Sequence, residues 1–352
     1  AEELHQIVFQ ISRTHQEFFY FSGVYTYYYL EESGQAFGFK PKYYEYDQPL
    51  AEIKKIFNRE VSAILFQVES SWSEVEKALF LHDYLAANYA YDNNSEIFDL
   101  YNFLTKKKGV CQAYTDLYQY LLNKVGVEAS AVASDSMNHT WNVVKIGEKW
   151  YHVDITWDDP LSQDQQDYYG AARHDFFLLS DQTIREREHS DWYWITEEHV
   201  CDDPSFEQAY WKNSIAPVTA CGGKWYYIGE NGIYDTEDPE TAILAFDQKW
   251  SVAGAPAYFS VAFSGLASFG GLLFYNTPSE ICFVDPVSGH TETLYTLPEN
   301  DRQIFGLTLK DGMIQYVAES TPGKISEIRT LKINLPDMLG DVNGDLAVNT
   351  KD

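Results

Sequence analysis

The chain has 352 residues, with 25 Lys plus Arg against 53 Asp plus Glu, a net charge of −28. A charge that negative repels phosphate backbones and anionic lipid, so nucleic acid and membrane surfaces are excluded as partners. Hydrophobic residues at 45% and charged residues at 22% are ordinary globular usage, which rules out wholesale disorder, collagen-like repeats and a coiled coil.

Residues 1–72 are expected to form an α/β extension packed on a catalytic core. Ile7 and Ile11 set a helical period, with Phe18 and Phe19 beyond. YFSGVYTYYYLEES then reads as an aromatic-rich strand, and residues 50–66 as a second helix. SSWSEVEKALFLHDYLAANYAYD predicts a helix capped by Ser71 or Ser73, with acids in its first turn and Val75, Leu79, Leu81 and Leu85 on its apolar side. Past the polar loop Asp92-Asn93-Asn94-Ser95, the helical period returns in Tyr114, Leu117, Tyr118, Leu121, Leu122 and Val125, and Gly126 is placed to end it. HTWNVVKI and KWYHVDIT flank Gly147-Glu148, which predicts a hairpin with a two-residue type II′ turn.

From about residue 206 the texture changes. Three turns, at Gly223, Gly271 and Gly312, each lead into an aromatic-rich strand, and a further strand follows in each unit (ILAFD, ICFVD, IRTLKINL). The spacing is in the range of β-propeller blades, although three units are too few for an ordinary closed propeller. Residues 206–335 are therefore read as an all-β accessory domain, propeller-like or a sandwich, and 336–352 as a linker and terminal loop. No stretch approaches the ~18 apolar residues of a membrane span. AEELHQIVFQ lacks the basic start and apolar run of a signal peptide, and the chain begins with Ala1, as after removal of a leader.

Four cysteines, Cys111, Cys201, Cys221 and Cys282, make no disulfide framework in a chain this long. Cys111 follows Gly109-Val110 at the start of a helix, where unpaired amides and the helix dipole favour a thiolate and can serve an oxyanion. A glycine just before the nucleophile lets a substrate backbone approach closely. The two-residue turn pairs Ile146 with Lys149, which puts His139 and Asp154 diagonally on one face, within reach of a hydrogen bond. Singly, each residue has a plainer explanation: a small buried thiol, a solvent-facing imidazole, a solvated or strand-capping carboxylate. His152, on the face of Asp154, competes with His139. The combination, in this order on these elements, points to a nucleophile, its base and an orienting carboxylate.

The stretches KGVCQAYTDLYQYLLNKVGVEA and NHTWNVVKIGEKWYHVDITWDDP resemble the core of the transglutaminase-like superfamily. The resemblance spans about residues 73–160, and residues 73–205 are taken as that catalytic domain. It implies an α+β, papain/transglutaminase-like fold with Cys111 as nucleophile, His139 as base and Asp154 as orienter. It further implies acyl transfer at peptide or protein carboxamides through a thioester, as a protease, amidase or transglutaminase. Trp141 and Trp157, in matching motif positions, are expected to line the substrate cleft, and Tyr101 to complete the oxyanion hole.

At the C-terminus, Asp341, Asn343, Asp345, Asn349 and Asp352 place oxygens at positions 1, 3, 5, 9 and 12 of an EF-hand-type calcium loop, with the Ala347 carbonyl at position 7. Leu346 replaces the usual glycine and Asp352 the usual glutamate. GDVNGDLAVNTKD resembles the first calcium loop of a type I dockerin. That resemblance implies an extracellular parent protein held on a cellulosome-type scaffold through a cohesin, with calcium weak at a single loop. The alternative to an enzyme is a non-catalytic carbohydrate- or protein-binding adhesion module that uses the same fold as a scaffold. A blocked cleft, or a hairpin register that separates His139 from Asp154, would be its mark.

Overall fold

The structure, a computed structural model, describes residues 2–161, 166–246, 249–251, 258–260 and 263–333. The expected calcium ligands Asp341, Asn343, Asp345, Ala347, Asn349 and Asp352 lie outside the described residues. The chain mixes helix and sheet and divides into two compact units. One comprises Ala1–Leu85, Tyr89–Thr156 and Phe176–Glu207; the other comprises Ala86–Asn88, Trp157–Asp175 and Gln208–Asp352. Compared with the expected domain limits, the residue 157–175 segment thus groups with the β-rich part. Within that unit, Tyr169 Oη lies 2.8 Å from Thr308 Oγ1, and the Ala172 amide donates to the Ile215 carbonyl at 3.0 Å.

The helices are α1 (Glu2–Thr14), α2 (Leu50–Leu65), α3 (Glu74–Asn88), α4 (Leu100–Lys106), α5 (Cys111–Lys124), α6 (Ile155–Asp158) and α7 (Asp181–Glu186). Ser73 starts α3 with a full capping box: its hydroxyl accepts from the Glu76 amide, and the Glu76 carboxylate accepts from the Ser73 amide. Leu79, Leu81 and Leu85 are fully buried. Helix α1 has the expected period but a different buried face. Ile7 and Ile11 are 46% and 41% exposed, while Val8 and Arg13 turn inward. Arg13 Nη1 donates to Asp116 of α5 at 2.9 Å and Nη2 to Thr140 Oγ1 at 3.1 Å, so the inward face is fixed by a buried charge pair.

Nine strands accompany these helices: β1 (Phe21–Tyr29), β2 (Ala36–Tyr43), β3 (Ala90–Tyr91), β4 (Lys108–Gly109), β5 (Ala129–Ser134), β6 (His139–Ile146), β7 (Lys149–Val153), β8 (Phe177–Leu179) and β9 (Tyr193–Trp194). Five of them form an antiparallel sheet in the order β8-β7-β6-β5-β9. The hairpin register is the expected one, from Ile146 opposite Lys149 to Asn142 opposite Val153. Gly147 supplies the turn's positive φ, +59°. Strand β7 ends at Val153, and Asp154 occupies the bend into α6, so Ile155 and Thr156 are helical rather than extended.

The second unit is built on antiparallel hairpins. β10 (Thr219–Cys221), β11 (Lys224–Gly229), β12 (Gly232–Asp235) and β13 (Asp238–Ala245) form one meander. The pair β14 (Lys249–Ser251) and β15 (Tyr258–Ser260) precedes a second meander of β16 (Leu266–Phe269), β17 (Leu272–Asn276), β18 (Glu280–Val284) and β19 (Thr291–Thr296). A third contains β20 (Gln303–Lys310), β21 (Met313–Glu319) and β22 (Arg329–Lys332). The three repeated turns are equivalent. Cys221 pairs with Lys224, Phe269 with Leu272 and Lys310 with Met313, and both turn residues in each case have positive φ, the type I′ geometry. The later strands are not equivalent, since ILAF lies in the fourth strand of its meander and ICFV in the third. Alternation along the middle sheet serves both neighbours. Phe274 and Phe283 pack with Ile304 and Ile314, while Leu273 and Val284 pack with Ile228 and Ile233.

Candidate active site

Three elements of the first unit meet at one end of the five-stranded sheet. Cys111 is the first residue of α5, after Val110 at the cap. The amides at this start are not used by the helix itself. The segment before it is held by short parallel pairing of β4 with β3, which sets Gly109 opposite Tyr91. The Asp92 carboxylate accepts from the Glu96 and Ile97 amides at 2.9 Å and tightens the loop that follows β3. Gly109 is required for packing: a Cβ there would stand 2.6 Å from the Phe103 ring and 2.9 Å from Ala113 Cβ. Internal crowding, rather than the approach of a substrate backbone, therefore accounts for the glycine.

Helix α5 is bonded to β6. Thr115 Oγ1 donates to the Thr140 carbonyl at 2.9 Å, and Asn142 Nδ2 donates to the Thr115 carbonyl at 3.0 Å. These bonds hold the start of α5 beside His139, the first residue of β6. His139 Nε2 lies 2.6 Å from Asp154 Oδ2, and the Cys111 side chain is close enough to act on the same imidazole electrostatically. With Nε2 taken by the carboxylate, Nδ1 is the nitrogen left for the thiol. Burial works against the His139 imidazolium, but the Asp154 charge and hydrogen bond outweigh it and push the group up to about 10. Burial likewise opposes the Asp154 carboxylate, yet His139 and then His189 hold it well below the usual range. Among the four cysteines Cys111 is half-buried and the other three are buried. Burial raises the Cys201 and Cys282 thiols and pushes Cys221 up to about 11.

The remaining expected site residues take other places. Trp141 is 1% exposed and cannot line an open cleft. Its ring stacks behind His139 with centroids 5.7 Å apart, and its Nε1–H donates to His152 Nδ1 at 3.0 Å. It is a wall that supports the imidazole. Trp157 is 37% exposed and belongs to the other compact unit. The Tyr101 ring packs edge-on against Tyr46 at 5.2 Å, and Tyr46 in turn bonds Asp99. The tyrosine that shares an electrostatic environment with Cys111 and Asp154 is Tyr91, whose phenol is raised by burial first and by those two groups after it. Spacing offered no way to choose between them, because Tyr91 reaches the site through the β3–β4 pairing.

His152, the sequence competitor of His139, is accounted for. Its Nδ1 accepts from Trp141 and its Nε2 lies 2.8 Å from Asp181 Oδ1, with the Cys201 thiol close by. A ring that accepts at Nδ1 must carry its hydrogen at Nε2, so this His-Asp-Cys group is a hydrogen-bonded cluster and does not offer a metal a lone pair there. The short 2.6 and 2.8 Å separations around Asp154 are also hydrogen bonds.

His189 is the residue that the sequence reading missed. Its Nε2 lies 2.8 Å from the same Asp154 oxygen that His139 uses. The C-terminal turn of α7 delivers it. Glu188 takes φ +72° and the His189 amide returns to the Ile184 carbonyl at 3.2 Å, a Schellman-type closure. Glycine or asparagine at that left-handed position would have announced the turn; glutamate does not.

A thiol at a helix start, an imidazole at the start of β6 and a carboxylate just past the end of β7 form an arrangement suited to cysteine-dependent chemistry. In agreement, residues 63–155 match the family model described as the transglutaminase-like superfamily core. A search of curated proteins returned no match. Among solved structures the chain is similar to one described as a TGase, at 17% identity and a TM-score of 0.26, over 32% of this chain and 33% of that one. It is also similar to a Cytophaga hutchinsonii protein described as a candidate cysteine protease, at 19% identity and a TM-score of 0.23, over 32% of this chain and 40% of that one. The chain thus covers well under half of either structure.

Proposed function

We propose that the protein is a secreted, cysteine-dependent acyl-transfer enzyme acting on carboxamides of peptides or proteins. The observation that carries this reading is the 2.6 Å bond between His139 and Asp154, with Cys111 at the start of α5 acting on the same imidazole. The adhesion-module alternative would be marked by a blocked cleft or by a register that parts His139 from Asp154; the 2.6 Å separation of those two residues favours the enzyme.

The Cys111 thiolate adds to the carbonyl carbon, and the C=O π electrons move onto oxygen, where the first amides of α5 face the developing charge. The intermediate collapses as the C–N bond breaks, and His139 gives its proton to the departing amine. The resulting thioester is opened by water or a second amine, whose proton passes to His139 as the Cys111 thiolate leaves. Water gives protease or amidase activity; a lysine amine gives a cross-link. Asp154 keeps the imidazole turned toward the thiol through both steps.

The test is labelling by iodoacetamide at mildly acidic pH, followed by peptide mass spectrometry. Cys111 should be carbamidomethylated at least about tenfold faster than Cys201, Cys221 and Cys282, and His139→Ala should abolish the preference. Equal rates at the four cysteines would overturn the reading.

A further inference from the structure

We infer that His189 is a positioning residue of this site: as second donor to Asp154, it holds the carboxylate on His139 and takes part of its charge, and so sets how tightly His139 keeps its proton. The inference rests on the acyl-transfer reading above and adds a fourth member to its machinery.

The geometry is specific. Asp154 Oδ2 faces His139 Nε2 at 2.6 Å and His189 Nε2 at 2.8 Å. The other His189 nitrogen, Nδ1, lies 3.1 Å from the Arg187 carbonyl oxygen, an atom that only accepts. Oxygen acceptors therefore stand at both ends of the ring. His189 is fully buried, with Trp141 edge-on at 4.8 Å and the Phe176 ring at 5.2 Å, so it has no freedom to turn away. The left-handed Glu188 and the α7 closure fix its backbone.

The charged and titratable groups around this carboxylate come from every neighbouring element. His139 faces it from β6 and His189 from the turn after α7. Tyr91 of β3 and Cys111 of α5 share its surroundings. On the far side, His189 acts on His152 of β7, which is bonded to Asp181 of α7. The Arg187 guanidinium lies over the Phe176 ring at 5.8 Å.

One carboxylate oxygen divided between two imidazoles gives each less than it would give to one alone. With His189 removed, Asp154 would draw the His139 proton more strongly. The thiolate–imidazolium pair would then persist to higher pH, and His139 would be a poorer acid toward the leaving amine. A balanced proton affinity is what a group acting alternately as acid and base requires.

Two variants separate the hydrogen bond from packing. His189→Gln keeps a donor near the Nε2 position without the imidazole, and His189→Phe keeps the ring volume without a donor. Two readouts are compared with wild type: the pH dependence of Cys111 carbamidomethylation, and the titration of the His139 imidazole by nitrogen NMR. His189→Phe is expected to move the His139 titration up by about one pH unit, with the alkaline limb of labelling following it, and His189→Gln, which keeps a donor on Asp154, to move it less. The Phe variant should also label more slowly at mildly acidic pH, because Asp154 can turn; His189→Gln should recover that loss. If folded variants titrate His139 at the wild-type position, His189 merely fills space and the inference is overturned. Should Cys111 in the wild type show no preferential labelling, the enzymatic reading fails, and the NMR titration still decides the role of His189. If His189→Phe does not fold, His189→Leu, which also removes the donor, carries the test.

Discussion

At the residue scale, Asp154 is the pivot of the site. His139 is pushed up to about 10, so its contribution to stability is complete below its unfolded value of about 6.5 and is lost as pH rises through about 10. Asp154 is shifted the other way. Its contribution is present above the unfolded carboxylate value of about 3.9 and is lost as pH falls through the depressed one. Both contributions are complete between about pH 4 and pH 6.5. Asp154→Asn removes them together, so the wild-type advantage in thermal midpoint should be largest in that window, shrink as pH rises from about 6.5 towards 10, and shrink again below about pH 4. Melting curves measured from pH 3 to pH 10.5 check this, and a gap independent of pH would contradict it. Cys111, His139 and Asp154 were legible in the sequence because a helix start and a two-residue turn restrict where their side chains can go. His189 was not, because it arrives 35 residues after Asp154 on a turn without its usual glycine.

At the element scale, the precision of the site comes from how α5 is mounted. Gly109, two residues before Cys111, leaves room for Phe103 and Ala113. Gly109→Ala should cost about 1–3 kcal/mol by overpacking and displace Cys111 from His139. Chemical denaturation together with the labelling rate at mildly acidic pH would register both effects. An unchanged labelling rate would show that the start of α5 does not depend on this contact. Elements with long periodic runs, α3 and α5, and the hairpin of β6 and β7 were readable to within a few residues. The short β3–β4 pairing was not, since two residues carry no period; it nevertheless places Tyr91 beside the site. Helix α1 shows a different limit. The sequence pattern gave its period, but a buried Arg13–Asp116 pair, closed over 103 residues, chose its inward face.

At the scale of the whole molecule, the repeated turns at Gly223, Gly271 and Gly312 correspond to three antiparallel meanders that pack in series. Their assignment as an accessory domain and its role remain part of the proposal, as do secretion and attachment to a cohesin-bearing scaffold. No helix among the described residues is long and apolar enough to cross a membrane. We further propose that residues 341–352 bind calcium, weakly and through side-chain oxygens. Calorimetric titration with calcium should give a dissociation constant in the range of about 10⁻⁴–10⁻³ M, lost in Asp341→Ala. Heat indistinguishable between the wild type and that variant would remove calcium from the account. The net charge of −28 then has two sources, a terminal ligand set and a solvated surface.

The sequence by itself determined the local geometry: helix starts and stops, the hairpin register, the three glycine turns and, through the first two, the juxtaposition of Cys111, His139 and Asp154. Those features depend on neighbours within a few residues, where caps, glycines and alternation act directly. Tertiary structure alone decided which tyrosine sits by the thiol, that Trp141 supports rather than lines the cleft, and that a second histidine shares Asp154. These depend on where separate elements meet, and that is set by the packing of buried surfaces and charge pairs remote in sequence.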